Sequence, residues 1–155
     1  MQKLIYTVFY NKYFPVIQPL AELNKINPFF ILSVAALETG FGKHLIQNNF
    51  FGIKASANHY NKFLSVTKEY SPSLMKLVAV SAYFRSYDGF LSSALDFCRL
   101  IRYKYPQCIG VNDHTVCSLL QSNPKRRYAT DPDYSAKLES LYYIFYGINQ
   151  RTPAK

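Results

Sequence analysis

An apolar segment from Phe29 to Leu37, bounded on both sides by helix signals, constrains the fold of this chain more than any other feature. Asn27-Pro28 predicts the start of a helix, since asparagine caps helix N-termini and proline is tolerated in the first turn. Gly40 predicts its end. Because the segment is apolar on nearly every face, we predict that this helix runs through the middle of the core.

A glutamate stands at the end of this predicted helix. Glu38 lies in the last turn, where the helix dipole presents partial negative charge. The dipole and desolvation both disfavour the ionised carboxylate, so both are expected to raise its pKa. A carboxyl group that stays protonated near neutral pH is the proton donor that glycoside cleavage needs. On position alone, an ordinary surface glutamate beside a helix end is equally expected.

A β-hairpin is predicted after this helix, in a region of about residues 48–85. Phe63 to Tyr70 and Lys76 to Arg85 alternate apolar and polar residues, as half-buried strands do. Ser71-Pro72-Ser73 between them is typical of a turn. These segments indicate a small antiparallel β-lobe.

Helical spacing predicts the remaining elements. A first helix is expected from about Phe14 to Asn24, with Pro15 and Pro19 weakening its start. After the hairpin, Leu91, Cys98 and Ile101 keep the spacing of a helix, which predicts a core position for Cys98. A short helix is predicted from Asp113 through Leu120, and a last helix from the cap-plus-proline signal Asp131-Pro132 to Gly147. The fold class is therefore α+β and mainly helical, in a single domain over residues 1–155.

Glycoside hydrolysis usually needs a second carboxylate, either to activate water or to stabilise positive charge on the sugar. Glu69 is the best candidate because it shares the polar strand face with Ser65 and Thr67. As a bare strand residue it would more often be an exposed side chain. Asp88 and Asp131 are rivals that fit turn or cap roles better.

Charge and aromatic content favour an anionic, sugar-like partner. The net charge of +9 predicts an anionic partner, which could be nucleic acid, an acidic membrane surface or an anionic polymer such as the bacterial wall. The 14 tyrosines suit stacking on polyhydroxylated ligands. The basic residues are scattered except for the run Lys125–Arg127, and no nucleic-acid-binding motif is present, so we predict no nucleic-acid partner.

Cysteine and histidine spacing predicts neither a metal site nor another cofactor. Cys98, Cys108 and Cys117 are an odd number without metal-ligand spacing, and we interpret them as reduced structural thiols. No segment resembles a secretory signal or a membrane span. If the target lies outside the cytoplasm, we expect delivery by phage, by specialised secretion or as part of a larger protein.

Five ordered blocks resemble the glucosaminidase domains of glycoside hydrolase family 73, which includes flagellar rod-associated wall hydrolases, autolysins and phage lysins. The blocks are Ala36–Lys43, Asn49–Lys54, Thr67–Tyr70, Phe84–Tyr87 and Tyr128–Tyr134. The likeness runs from about Phe14 to Tyr146. One departure is the basic run Lys125–Arg127, where the family commonly has small residues or glycine.

The resemblance implies a lysozyme-like helical body with a small β-hairpin lobe bordering the active-site cleft. It implies cleavage of the β-1,4 bond after N-acetylglucosamine in peptidoglycan glycan strands, at the bacterial cell wall, by a monomer. Glu38 matches the family's essential acid, Glu69 its β-lobe partner, and Tyr128 a cleft tyrosine that could bind the acetamido group or place water. The predicted substrate-binding residues are Phe41, Asn49, Phe51, Tyr70 and Tyr87, although backbone support is the favoured role for Asn49.

Three alternatives stay open at the level of sequence. A muramidase or a lytic transglycosylase shares the lysozyme-like body and a single glutamate. A non-catalytic wall-binding or structural module is the third. The mechanism is equally open, since inverting, retaining and substrate-assisted routes all fit these residues.

Overall fold

The computed structural model describes residues 1–152. Its helices and strands follow the chain in this order: α1 (Gln2–Asn24), α2 (Pro28–Thr39), β1 (Lys62–Ser71), β2 (Lys76–Arg85), α3 (Phe90–Lys104), a 3₁₀ turn (Pro106–Cys108), α4 (Val116–Leu119) and α5 (Tyr134–Arg151). The predicted order of helices, β-hairpin and helices is confirmed.

Helix α2 lies in the centre of the helical body, as its apolar sequence predicts. The Asn27 side chain caps it by accepting hydrogen bonds from the backbone amides of Phe29 and Phe30, at 3.0 and 3.3 Å. Gly40 ends the helix in the left-handed conformation, with φ of 55°. Because both ends are fixed by local sequence and the helix packs against α1 and α5, the position of Glu38 in its last turn is well defined.

Two helix boundaries differ from the prediction. Helix α1 begins at Gln2, not near Phe14, and contains Pro15 and Pro19 in its interior. Phe9 and Tyr10 are buried in the core, so tertiary packing holds the helix together despite the prolines. Helix α5 continues past Gly147 to Arg151, whose Nε donates a 3.1 Å hydrogen bond to the Gly147 carbonyl.

Strand β1, unlike β2, turns its more polar face toward the helical body. The register pairs Thr67 with Val80 and Glu69 with Val78. Along β1, Ser65, Thr67 and Glu69 are partly buried, whereas the alternate residues Leu64 and Val66 are 63% and 69% exposed. This inverts the usual arrangement of a half-buried strand, in which the apolar face is covered.

Hydrogen bonds fix the hairpin beside the helical body at two places. At its base, the amide of Arg85 donates to the carbonyl of Ile53 at 2.9 Å. Near its tip, the amide of Tyr70 donates to Oγ1 of Thr130 at 3.0 Å. The hairpin therefore forms one wall of a groove whose other wall is the helical body.

The three cysteines are free and buried, as predicted. Burial raises the pKa of each thiol to about 12, so all three side chains stay protonated. Within residues 1–152, no helix is both long enough and apolar enough to cross a bilayer.

Candidate active site

Glu38 lies in a cavity of about 210 Å³ between the end of α2 and the hairpin, here called the acid cavity. The hairpin contributes Ser65 and Thr67 to its wall, and the loop after α2 contributes Asn49 and Gly52. Glu38 itself is partly exposed, so a ligand in the cavity reaches its carboxyl group.

The environment of Glu38 favours its protonated form. Burial raises its pKa from 4.5 to about 7, because the ionised carboxylate is poorly solvated there. A hydrogen bond of 2.9 Å from the hydroxyl of Tyr134 to Oε1 acts in the opposite direction and lowers the pKa. Among residues 1–152 no lysine, arginine or histidine forms an ion pair with Glu38. The site therefore holds a carboxylic acid that is both a proton donor and fixed in orientation.

Gly52 packs against Oε2 of Glu38, the carboxyl oxygen that does not accept the hydrogen bond from Tyr134. Its φ of +63° lies in the left-handed region, and a Cβ built on it would be 2.6 Å from Oε2 of Glu38. No other residue type fits this position without moving the carboxyl group. The Asn49–Lys54 segment thus positions the acid through its backbone.

Two tyrosines, Tyr128 and Tyr134, pack beside Glu38. Tyr134 begins helix α5, and its ring stacks on Tyr128 with ring centroids 5.9 Å apart. The hydroxyl of Tyr128 donates to the backbone carbonyl of Phe51. Burial and the nearby Glu38 raise the pKa of both tyrosine hydroxyls well above the usual range, so both remain donors.

Glu69 faces the groove but is paired with a cation. It lies on the same face of β1 as Ser65 and Thr67, two residues beyond the wall of the acid cavity. Lys54 forms a hydrogen-bonded ion pair with its carboxylate, and side chains of both residues remain partly exposed. Its predicted role as second carboxylate stays a prediction.

Two predicted contact residues lie elsewhere. The side chain of Phe51 is fully buried and stacks on Phe97 at 4.3 Å between centroids, so the prediction that it contacts substrate is wrong. Phe41 packs against Tyr6 and Phe9 of α1 and lines a different groove, away from the acid cavity.

Asn49 lies at the cavity wall, but its amide is already used. It donates to the carbonyls of Ile53 and Arg85, both at 2.9 Å, and accepts from the amide of Ile53 at 3.0 Å. This is the backbone support favoured from the sequence. The hydroxyl of Tyr87 donates to Asp96, which also pairs with Arg85, so Tyr87 belongs to the base of the hairpin.

A second, larger cavity of about 460 Å³ adjoins the acid cavity at Gly52. Tyr70, Thr130 and Tyr128 lie in its wall. Tyr70 is therefore in position to contact a ligand that extends from Glu38 along the groove.

Sequence reasoning missed the role of Tyr134. Its spacing with Leu138, Leu141 and Phe145 predicts a core position, and the structure confirms burial. Its hydroxyl nevertheless reaches Glu38 across 96 residues of sequence. The only signal was its place at the end of the Tyr128–Tyr134 block.

The fold, together with a buried glutamate of raised pKa at the wall of a groove, is that of a lysozyme-like glycoside hydrolase. Residues 14–146 match the Glucosaminidase family, described as mannosyl-glycoprotein endo-beta-N-acetylglucosaminidase. The chain belongs to this family, which confirms the resemblance.

Individual proteins with similar sequences agree with this family membership. A peptidoglycan hydrolase FlgJ from Pseudomonas aeruginosa is 31% identical over 139 residues, which cover 82% of this chain and 34% of the relative. An autolysin from Enterococcus faecalis is 27% identical, with 88% and 20% covered. The chain thus spans about a third of the length of the FlgJ relative.

Solved structures share the architecture. A peptidoglycan hydrolase mutant from Sphingomonas sp. A1 has a TM-score of 0.79 and 26% identity, covering 93% of this chain and 99% of that one. The glycoside hydrolase domain of Salmonella typhimurium FlgJ, truncated at its C-terminus, has a TM-score of 0.70 and 27% identity, with 92% and 98% covered. The predicted lysozyme-like α+β fold is confirmed.

Proposed function

We propose that this chain hydrolyses the β-1,4 glycosidic bond after N-acetylglucosamine in peptidoglycan, with Glu38 as the general acid. The observation that carries the proposal is the position of Glu38 at the wall of a groove, where Tyr134 orients its carboxyl group and no cation among residues 1–152 pairs with it. Burial there raises its pKa to about 7. Membership of the glucosaminidase family supports the identity of the bond.

In the proposed reaction, Glu38 donates its proton to the glycosidic oxygen as the bond between that oxygen and the sugar C1 breaks. The leaving sugar departs as an alcohol, and positive charge develops on the remaining ring. Water then adds to C1 and gives up a proton to a base. Tyr134 keeps the carboxyl oriented through its hydrogen bond to Oε1.

Glu69 is the proposed second carboxylate, which stabilises the developing charge or accepts the proton from water. Its place on the groove-facing side of β1 supports this role, and Lys54 holds it there. The alternative uses the acetamido oxygen of the substrate as nucleophile. In that route Tyr128 would have to exchange its bond to the Phe51 carbonyl for one to the substrate.

We propose that the substrate is a glycan strand of the bacterial wall. The chain acts on it as one catalytic domain, in which the β-lobe at residues 48–85 is an insertion. It does so as a monomer and without a nucleic-acid partner. The similarity to a peptidoglycan hydrolase and an autolysin supports the wall as the place of action. Delivery to the wall by phage, by specialised secretion or within a larger protein is part of the same proposal.

Digestion of purified peptidoglycan tests the proposal. Wild type should release fragments with N-acetylglucosamine at the reducing end, as identified by mass spectrometry after borohydride reduction. Glu38→Gln should release none, whereas Glu22→Gln, an exposed change on α1, should match wild type. Reducing-end N-acetylmuramic acid or anhydro products would instead identify a muramidase or a lytic transglycosylase. Equal digestion by Glu38→Gln would refute the role of the acid.

A further inference from the structure

The larger cavity beside Glu38 is strongly basic. Four of the side chains in its wall are cationic, namely Lys54, Arg85, Lys104 and Arg127. We call this space the basic cavity. Its position beside the acid and its charge are not explained by cleavage of a neutral glycan chain, because a β-1,4 bond between N-acetylated sugars carries no charge.

Two of these four cations are compensated and two are not. Lys54 pairs with Glu69, and Arg85 pairs with Asp96 at 2.8 Å. Lys104 and Arg127 have no carboxylate within 4.0 Å among residues 1–152, and both are exposed. The basic cavity therefore presents two free cations to a ligand.

The basic cavity and the acid cavity have one wall residue in common, Gly52. The Cβ position on Gly52 is 2.6 Å from the carboxyl of Glu38. Tyr128, whose ring stacks on Tyr134, also lines the basic cavity. The basic cavity is therefore separated from the acid by Gly52 alone.

We propose that the basic cavity binds a carboxylate of the peptide attached to the wall sugar, with Lys104 and Arg127 as its ligands. This inference rests on the proposed function. In an alternating glycan, each N-acetylglucosamine has a peptide-bearing sugar on either side, so a peptide carboxylate is near the cleaved bond in both directions. An arginine binds a carboxylate through paired N–H donors, and a lysine adds a point charge.

The cavity thereby makes the chain specific for strands that still carry peptides. Chitin oligosaccharides lack a carboxylate and leave Lys104 and Arg127 unused. Strands freed of their peptides lose the peptide carboxylates but expose the lactyl carboxylate of each muramic acid, which must be amidated before they serve as an uncharged comparison. A wall polymer with phosphate groups presents the same anionic oxygens, so the substrates of the test must separate the two sources.

The test compares kcat/KM on three substrates: peptidoglycan freed of phosphate polymers, the same strands stripped of peptides by an amidase and then amidated at the freed lactyl carboxylates, and wall that retains its phosphate polymers. Wild type should prefer peptide-bearing to stripped strands, and Lys104→Gln/Arg127→Gln should reduce that ratio by about fivefold, mainly through KM. The matched control Lys3→Gln/Arg151→Gln removes the same charges outside the basic cavity and should keep the wild-type ratio. Salt should weaken the preference of wild type.

Three outcomes would overturn the inference: an unchanged ratio in Lys104→Gln/Arg127→Gln, an equal fall in the control, or a loss confined to the wall that retains phosphate. Each still leaves hydrolysis of stripped strands by wild type intact. Failure of the proposed function is distinct, because wild type would then cleave none of the three substrates. Circular dichroism of both double variants verifies folding.

Discussion

Replacement of Gly52 by alanine separates the backbone role of this residue from its contact with the acid. Alanine at a φ of +63° is strained by about 1–2 kcal/mol in folding free energy. Its methyl group would also stand 2.6 Å from Oε2 of Glu38, well inside van der Waals contact, so the carboxyl must move by several tenths of an ångström or more. Misplacement of a catalytic group by about 1 Å lowers the rate by roughly 100-fold.

Gly110 provides the matched control. Its φ is +79°, and a Cβ there would meet no atom within 4 Å. Gly110→Ala should therefore have a similar loss of stability in urea denaturation and a wild-type kcat on peptidoglycan. Gly52→Ala should have the same or greater loss of stability with a roughly 100-fold lower kcat. If Gly52→Ala retains the activity of Gly110→Ala, the inferred packing of Gly52 against the acid is wrong.

Three other predictions concern the carboxylates. Tyr134→Phe removes a hydrogen bond that lowers the pKa of Glu38, so the alkaline limb of the kcat/KM profile should move up by about one pH unit; a downward shift would contradict this. Folding raises the pKa of Glu38 from 4.5 to about 7. The protonated carboxyl group therefore stabilises the folded state fully below pH 4.5, and this stabilisation is lost as the pH rises through about 7. Wild type should lose about 3 kcal/mol over that interval relative to Glu38→Gln in urea titrations, and parallel curves would refute the burial argument. Glu69→Gln should lower kcat by about 100-fold while changing the free energy of unfolding by less than about 1 kcal/mol, because the pair with Lys54 is exposed. A near-normal kcat would instead favour the acetamido route.

Local sequence determines helix α2 and the place of Glu38 within it. The Asn27 cap, Pro28 and Gly40 act within a few residues of themselves, and their effects are visible in the sequence. The hairpin was equally accessible because its alternation has a period of two. These elements carry the acid and one wall of the groove.

What the sequence did not reveal depends on contacts between distant segments. Tyr134 reaches Glu38 from the other end of the chain, and its helical spacing indicates only burial. Phe51 illustrates the converse, since its place in a family block does not reveal whether the ring or the backbone is used. The start of α1 was missed because burial of Phe9 outweighs the two internal prolines.

The central claim is that Glu38 remains protonated close to neutral pH. A carboxyl ¹³C NMR titration of glutamate-labelled protein measures this directly, with Glu38→Gln to assign the resonance. The account predicts a midpoint near pH 7 for Glu38. A midpoint near the ordinary value of 4.5 would mean that water solvates the carboxylate freely, and the proposed proton donor would be ionised at neutral pH.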